Sequence, residues 1–241
     1  MSDSSSHPER PENTNTMAAK QRQMFETMAR MQDEHNCQVH PQWREQGYEY
    51  YRAIWVECAE LLDHYGWKWW KHQTPDLEQS RLELVDIWHF GLSELIRAQT
   101  PPDRALAAFA SLPDAGSDSA NSQEGAAGDA ESFRVAVEEL ASQTLATRSF
   151  PLDAFVAALR VLPMSYAELF ALYMGKNVLN RFRQTHGYKE GTYRKLWGGR
   201  EDNEHLMEVV AEVPVGSSSY VDRLFSALEA RYSAADPHSS S

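Results

Sequence analysis

Glu57-Cys-Ala-Glu60 and Glu83-Leu-Val-Asp86 set four carboxylates into two stretches that are otherwise almost wholly apolar. Ala53-Ile-Trp-Val leads into the first pair, and Ile87-Trp-His-Phe-Gly-Leu follows the second. Residues three apart on a helix are surface neighbours, so each pair presents two carboxylates to one spot. A helix apolar on every side belongs inside a bundle and takes its acids in with it. Ionised carboxylates are costly to bury unless something positive sits among them. Neither motif holds a lysine or arginine, so the convergence of Glu57, Glu60, Glu83 and Asp86 argues for a divalent cation. Oxygen donors of this kind suit Mg²⁺ or Mn²⁺, whose remaining positions go to water and substrate phosphates. A solvated helix face is the ordinary fate of Glu-x-x-Glu, but the doubled motif in apolar surroundings favours a site. A di-iron bundle wants two Glu-x-x-His motifs. Only Asp86-x-x-His89 has that spacing, and His64 stands four residues after Glu60.

A basic segment, residues 173–203, answers the acids. Lys176, Arg181, Arg183, Lys189, Arg194, Lys195 and Arg200 outnumber Glu190, Glu201 and Asp202 there, in a chain of net charge −12. Lys176, Asn180 and Arg183 share one helical face beside Tyr173, and a glycine-rich run from His186 to Arg200 is able to fold over a ligand. Guanidinium forks and ammoniums are natural partners of phosphate oxygens. Metal on one side and basic groups on the other would clamp a polyphosphate. A nucleobase pocket needs flat apolar walls with a few edge-reading polar groups, which Trp69, His89, Phe90, Gln32 and Asn36 are able to supply.

These residues need helices to hold them. Met17, Met24, Phe25, Met28 and Met31 fit one helix ending near Asn36; a second spans about 42–65, stopped by Gly66, and a third about 77–98, closed by Thr100-Pro-Pro. Further helices are expected near 103–112, 131–147, from Pro151 to Val161, from the capping box Ser165-x-x-Glu168 to about Thr185, and near 202–212 and 219–232. Alternating strand patterns are missing, so the expected fold is all-α, a single-domain helical bundle. Residues 1–16 and 233–241 read as disordered tails around a domain at 17–232, with a mobile insertion at 114–132 that lacks periodicity.

Composition narrows the classes. A hydrophobic fraction of 42% is that of a globular chain, and the acidic balance argues against coating nucleic acid or an anionic membrane. Two cysteines make no disulfide framework, the polar N-terminus lacks the apolar run of a signal peptide, and no stretch approaches a membrane span; a cytoplasmic protein is the simplest expectation.

The two acidic pairs, Gly66-Trp-Lys-Trp-Trp, Leu84-Val-Asp-Ile-Trp-His-Phe-Gly-Leu-Ser-Glu-Leu and Gly175-Lys-Asn-Val-Leu-Asn-Arg-Phe-Arg together resemble the dimeric all-α dUTPases. These belong to the all-α nucleoside triphosphate pyrophosphatase superfamily that includes MazG. The similarity covers most of residues 20–210. MazG-type enzymes commonly show Glu-Glu-x-x-Glu, whereas Val56 precedes Glu57. The resemblance implies hydrolysis of dUTP and dUDP to dUMP, which keeps uracil out of DNA and supplies thymidylate synthesis. It implies a homodimer, and Glu57, Glu60, Glu83 and Asp86 as Mg²⁺ ligands. It also implies a metal-held water attacking the β-phosphorus, with Glu57 or Glu60 as base. Lys176, Arg183, Lys189 and Arg194 fall at phosphate-contact positions and Asn180 near the sugar; Gln32, Asn36, Trp69 and His89 fall near the uracil. A house-cleaning pyrophosphatase for another nucleoside triphosphate shares the acids and differs in the base pocket. A non-catalytic helical interaction protein is a third class, disfavoured because buried unpaired acids are too costly for a merely structural role.

Overall fold

The computed structural model describes residues 11–112, 130–215 and 219–235, with side chains from Thr16 onward. Among them are nine α-helices: α1 (Pro11–Val39), α2 (Tyr50–Tyr65), α3 (Leu77–Arg97), α4 (Pro102–Phe109), α5 (Ala130–Thr147), α6 (Leu152–Val161), α7 (Tyr166–Thr185), α8 (Asp202–Glu212) and α9 (Tyr220–Ala234). The fold is all-α, as the sequence predicts. One short antiparallel hairpin interrupts it, β1 (Leu196–Trp197) paired with β2 (Arg200–Glu201). Its two-residue turn is Gly198-Gly199, both at positive φ (59° and 85°), the conformation that matches strand twist and that side chains resist. The glycine-rich stretch read as a loop is thus partly a hairpin.

Local chemistry sets the helix ends. The Asp76 carboxylate accepts from the Gln79 backbone N–H at 3.1 Å and opens α3. Ser165 and Glu168 form the reciprocal capping box of α7: the Glu168 N–H donates to Ser165 Oγ (3.2 Å), and the Ser165 N–H to Glu168 Oε2 (2.8 Å). Gly66 ends α2 at φ 92°, and a Cβ there would lie 2.9 Å from Gln73 Cβ. Two expected helices differ. The span 42–65 is broken: a single 3-10 turn at Trp43–Glu45 precedes Gly47 at φ 65°, and α2 starts only at Tyr50. The first helix reaches back to Pro11, into the stretch expected to be a tail. The insertion expected at 114–132 lies outside the described residues up to 129, and 130–132 already belong to α5; of the tails expected at 1–16 and 233–241, residues 1–10 and 236–241 lie outside, while 233–234 close α9.

The most extensive helix contact is α2 against α3, with α5 on another side of α2; α7 packs on α1, α3, α8 and α9. Trp88 of α3, fully buried, stacks on Phe155 (5.6 Å, 11°) and meets Phe109 edge-on at 5.3 Å. Gly91, one turn on, lets the Phe150 ring in, since a Cβ there would lie 2.6 Å from it. Truncating a side chain as enclosed as Trp88 costs about 3–5 kcal/mol. A second aromatic cluster, Phe182, Tyr193, Trp197, Phe225 and Tyr232, fastens the hairpin and α9 to the end of α7. Among the described residues no single helix is long and apolar enough to cross a membrane.

Candidate active site

Helices α2 and α3 bring the two acidic motifs together. One carboxylate oxygen from each of Glu57, Glu60 and Glu83 lies within 4.8 Å of the others. Glu83 is buried, Glu57 half-buried and Glu60 exposed, so the acids span from core to surface rather than all entering the core. The physical reason is that α2 is not enclosed: Trp55 and Val56 are each 39% exposed on its outer side. Burial first, then the charges of Asp86, Glu83 and Glu60, raises the Glu57 carboxyl to about 8. Burial and Asp86 raise Glu83 as well, against the opposing pull of Lys176. His64 Nε2 stands 3.6 Å from Glu83 Oε1.

Asp86 is placed differently. Its Oδ2 accepts from Lys176 Nζ at 2.8 Å, and that ammonium is 5% exposed. A cation therefore does reach the acids, delivered by α7 from ninety residues downstream rather than by the motifs themselves. It neutralises one carboxylate of four and leaves the other three facing one another.

A cavity of about 420 Å³ takes in two of the acids, Glu57 and Asp86, together with Asn180. Gln32, Asn36 and His89 line it as well, with Tyr50 and Phe90 as aromatic walls. The polar groups form one chain. Tyr173 Oη lies 3.0 Å from Gln32 Oε1; Gln32 Nε2 donates to Asn36 Oδ1 (3.2 Å), and Asn36 Nδ2 to Ser93 Oγ (2.9 Å). His89 is stacked on Tyr173 at 4.4 Å, its Nδ1 2.8 Å from the Val85 carbonyl and its Nε2 3.0 Å from Asn177 Nδ2. Burial lowers His89 to about 4, so the ring is neutral, donating through Nδ1 and accepting through Nε2. Arg97 holds the near rim: Nη1 donates to the Tyr48 carbonyl (3.0 Å) while Nη2 grips both Glu94 oxygens at 2.6–2.7 Å.

Trp69 is not brought to this cavity. It is 89% exposed on the turn after α2, in edge contact with Trp70 and beside a separate depression lined by Lys68, Lys71 and Arg134. The cavity's aromatic walls come instead from the 43–50 segment and Phe90. Of the basic residues, Lys176 and Arg183 point inward. Arg183 is gripped by Asp202, and its Nη1 lies 3.3 Å from Asn180 Oδ1. Arg194 turns away: its fork donates to the Ala235 and Tyr232 carbonyls (3.1 and 3.2 Å) and stacks over the Tyr232 ring. Lys189 stands exposed on the turn after α7. Sequence reading missed Tyr50, Asn177, Asp202 and Asn203. The one signal for Asp202 is an acid at a helix start three residues after the Gly198-Gly199 pair.

Clustered carboxylates, a basic helix end and an amide-lined cavity between them, all carried by packed helices, define the class of helical nucleotide hydrolases. A family model for dUTPase matches residues 24–188, a stretch that takes in both acidic pairs, the cavity and α7. The chain belongs to the all-α dUTPase family, and its activity is that of a dUTP diphosphatase. No curated protein matches it.

Proposed function

We propose that the protein hydrolyses dUTP and dUDP to dUMP in a Mg²⁺-dependent reaction, acting as a homodimer in the cytoplasm, and so keeps uracil out of DNA while supplying thymidylate synthesis. The observation that carries this reading is the cluster of Glu57, Glu60 and Glu83 oxygens within 4.8 Å, beside a cavity sized for a nucleoside. The donor set fits Mg²⁺: hard oxygens, close together, with Lys176 paired to Asp86 and His64 beside Glu83. Glu57, Glu60, Glu83 and Asp86 would hold the cation, which when bound makes water more acidic and offsets charge developing on phosphoryl oxygens.

The chain's own groups supply the rest. Glu57 lines the cavity, and its ionised carboxylate accepts the proton of the attacking water, with Glu60 beside it. Lys176, released from Asp86 as the acids gain another cation, and Arg183 receive the phosphate chain. Asn180, between them and the cavity, meets the sugar. Gln32 and Asn36 read the uracil edge with amide orientations set by Tyr173 and Ser93, and His89 is a neutral wall whose two nitrogens are already engaged. Trp55 and Val56, with the exposed Trp67, Trp69 and Trp70, leave α2 an apolar outer side that supports a second copy as its cover.

The decisive experiment presents dUTP, dUDP, dCTP, dTTP and UTP to the purified protein with and without Mg²⁺. Release of dUMP only with Mg²⁺, and faster than any other product, is the expected result. Equal turnover of dCTP or dTTP would overturn the uracil assignment, and full activity in excess chelator would overturn the metal. Sedimentation at micromolar concentration tests the dimer.

A further inference from the structure

Asp202 opens α8, is 0% exposed, and lies outside the stretch matched by the family model. Its two oxygens accept from Arg183 Nε and Nη2, both at 2.8 Å, and Oδ2 also accepts from the Tyr193 hydroxyl at 2.8 Å. Its backbone N–H donates to the Lys195 carbonyl at 3.0 Å. One carboxylate thus joins the end of α7, the turn that follows and the start of α8. A buried charge is tolerated only with its lone pairs occupied, and these are.

The consequence lies in what remains of Arg183. With its Nε edge committed to Asp202, the guanidinium plane is fixed, and Nη1 becomes its outward corner beside Asn180, a residue of the cavity wall. The next residue, Asn203, does a parallel service: its Oδ1 lies 3.4 Å from both Lys176 Nζ and Arg183 Nη2. An arginine without such a backing would have to surrender its rotamer freedom on meeting a phosphate.

We propose that Asp202 is a positioning residue, which presets Arg183 toward the nucleotide's phosphate chain with Tyr193 as its second clasp. The inference rests on the nucleotide reading above. Asp202→Asn keeps the shape and removes the charge that holds the fork. In the presence of Mg²⁺ its affinity for a non-hydrolysable imido analogue of dUTP is expected to fall about ten-fold. Its affinity for deoxyuridine, which has no phosphate, stays within about two-fold, and KM for dUTP rises in step with the analogue's loss. Tyr193→Phe moves the same way by about three-fold, and decides the matter should Asp202→Asn fail to fold. Equal losses for nucleoside and analogue would mean a merely structural residue and overturn the proposal. Tighter binding of the analogue, meaning that Asp202 masks Arg183, would overturn it too, as would an unchanged Tyr193→Phe. Wild-type protein that binds neither ligand sinks the nucleotide reading, and this inference with it.

Discussion

On the α2–α3 side of the cavity, charge is left standing; on the α7–α8 side, it is paired off. Glu57, Glu60 and Glu83 face one another closely enough that burial and mutual repulsion hold the Glu57 proton on up to about 8. Across the cavity, Lys195 is closed on Glu201 at 3.3 Å and Arg200 on Glu208 at 2.8 Å, and Arg183, its Nε edge held by Asp202, keeps only Nη1 toward the cavity wall. Arg194 is spent on backbone carbonyls. A charge whose partners are all supplied within the chain builds scaffold, while one left without a counter-charge marks where something else must bind. Counting lysines and arginines therefore overstates how many hands the basic side extends to phosphate.

The sharpest way to break this contrast is Glu60→Gln. Taking one donor from the uncompensated cluster is expected to cut dUMP release by about 10²–10³-fold. The melting temperature of the metal-free protein should hold or rise, because a like charge has been removed. Loss of activity accompanied by a collapse in melting temperature would mean that the acids serve the fold.

How far the contrast was legible in the sequence depends on range. Both acidic pairs, α3 and α7 could be read because spacing and caps such as Asp76 and the Ser165–Glu168 box act within one turn. Gly66 ends α2 by the same local logic, whereas the break at Gly47, which lets Tyr50 wall the cavity, rests on a single glycine at positive φ. What failed was long-range: that Lys176 would reach Asp86, that Asp202 would take Arg183, and that Trp69 would face away. Side chains of those types are equally at home on a surface, and only tertiary packing chooses which way a turn residue points.

Lys176 leaves its own segment to pair with Asp86, and Lys176→Met tests both halves at once. KM for dUTP is expected to rise about ten-fold, as a phosphate contact is lost. Asp86, a quarter exposed, loses its partner, so the metal-free protein should be destabilised by about 1–3 kcal/mol in denaturant titration. An unchanged KM would confine Lys176 to the role of counter-ion.

Smaller effects should appear in pH dependence. An acid whose folded-state pKa is raised binds protons more tightly when folded, so its contribution to stability is lost as pH rises. For Glu57 that window runs from the ordinary carboxylate value of 4.5 up to about 8. The melting temperature of the metal-free protein should fall across it, and Mg²⁺, which takes the place of protons, should flatten the slope and raise the high-pH end by several degrees. A slope of the opposite sign, or one that Mg²⁺ leaves alone, would mean that the three carboxylates are not coupled.

The smallest effect on catalysis is expected where sequence and structure part most plainly, at Arg194. Its guanidinium closes the end of α9 through the Tyr232 and Ala235 carbonyls and lies 4.3 Å from the Tyr232 ring centroid, within the aromatic cluster that fixes the hairpin. Arg194→Met keeps the apolar stem and removes the fork. It should lower stability by about 1 kcal/mol, the worth of a helix-end interaction, while leaving KM for dUTP within about two-fold. A rise in KM to match that of Lys176→Met would show that the fork leaves α9 when nucleotide binds. The division between scaffold charges and ligand charges would then hold only for the empty cavity, and the basic segment would be a moving part rather than a fixed wall.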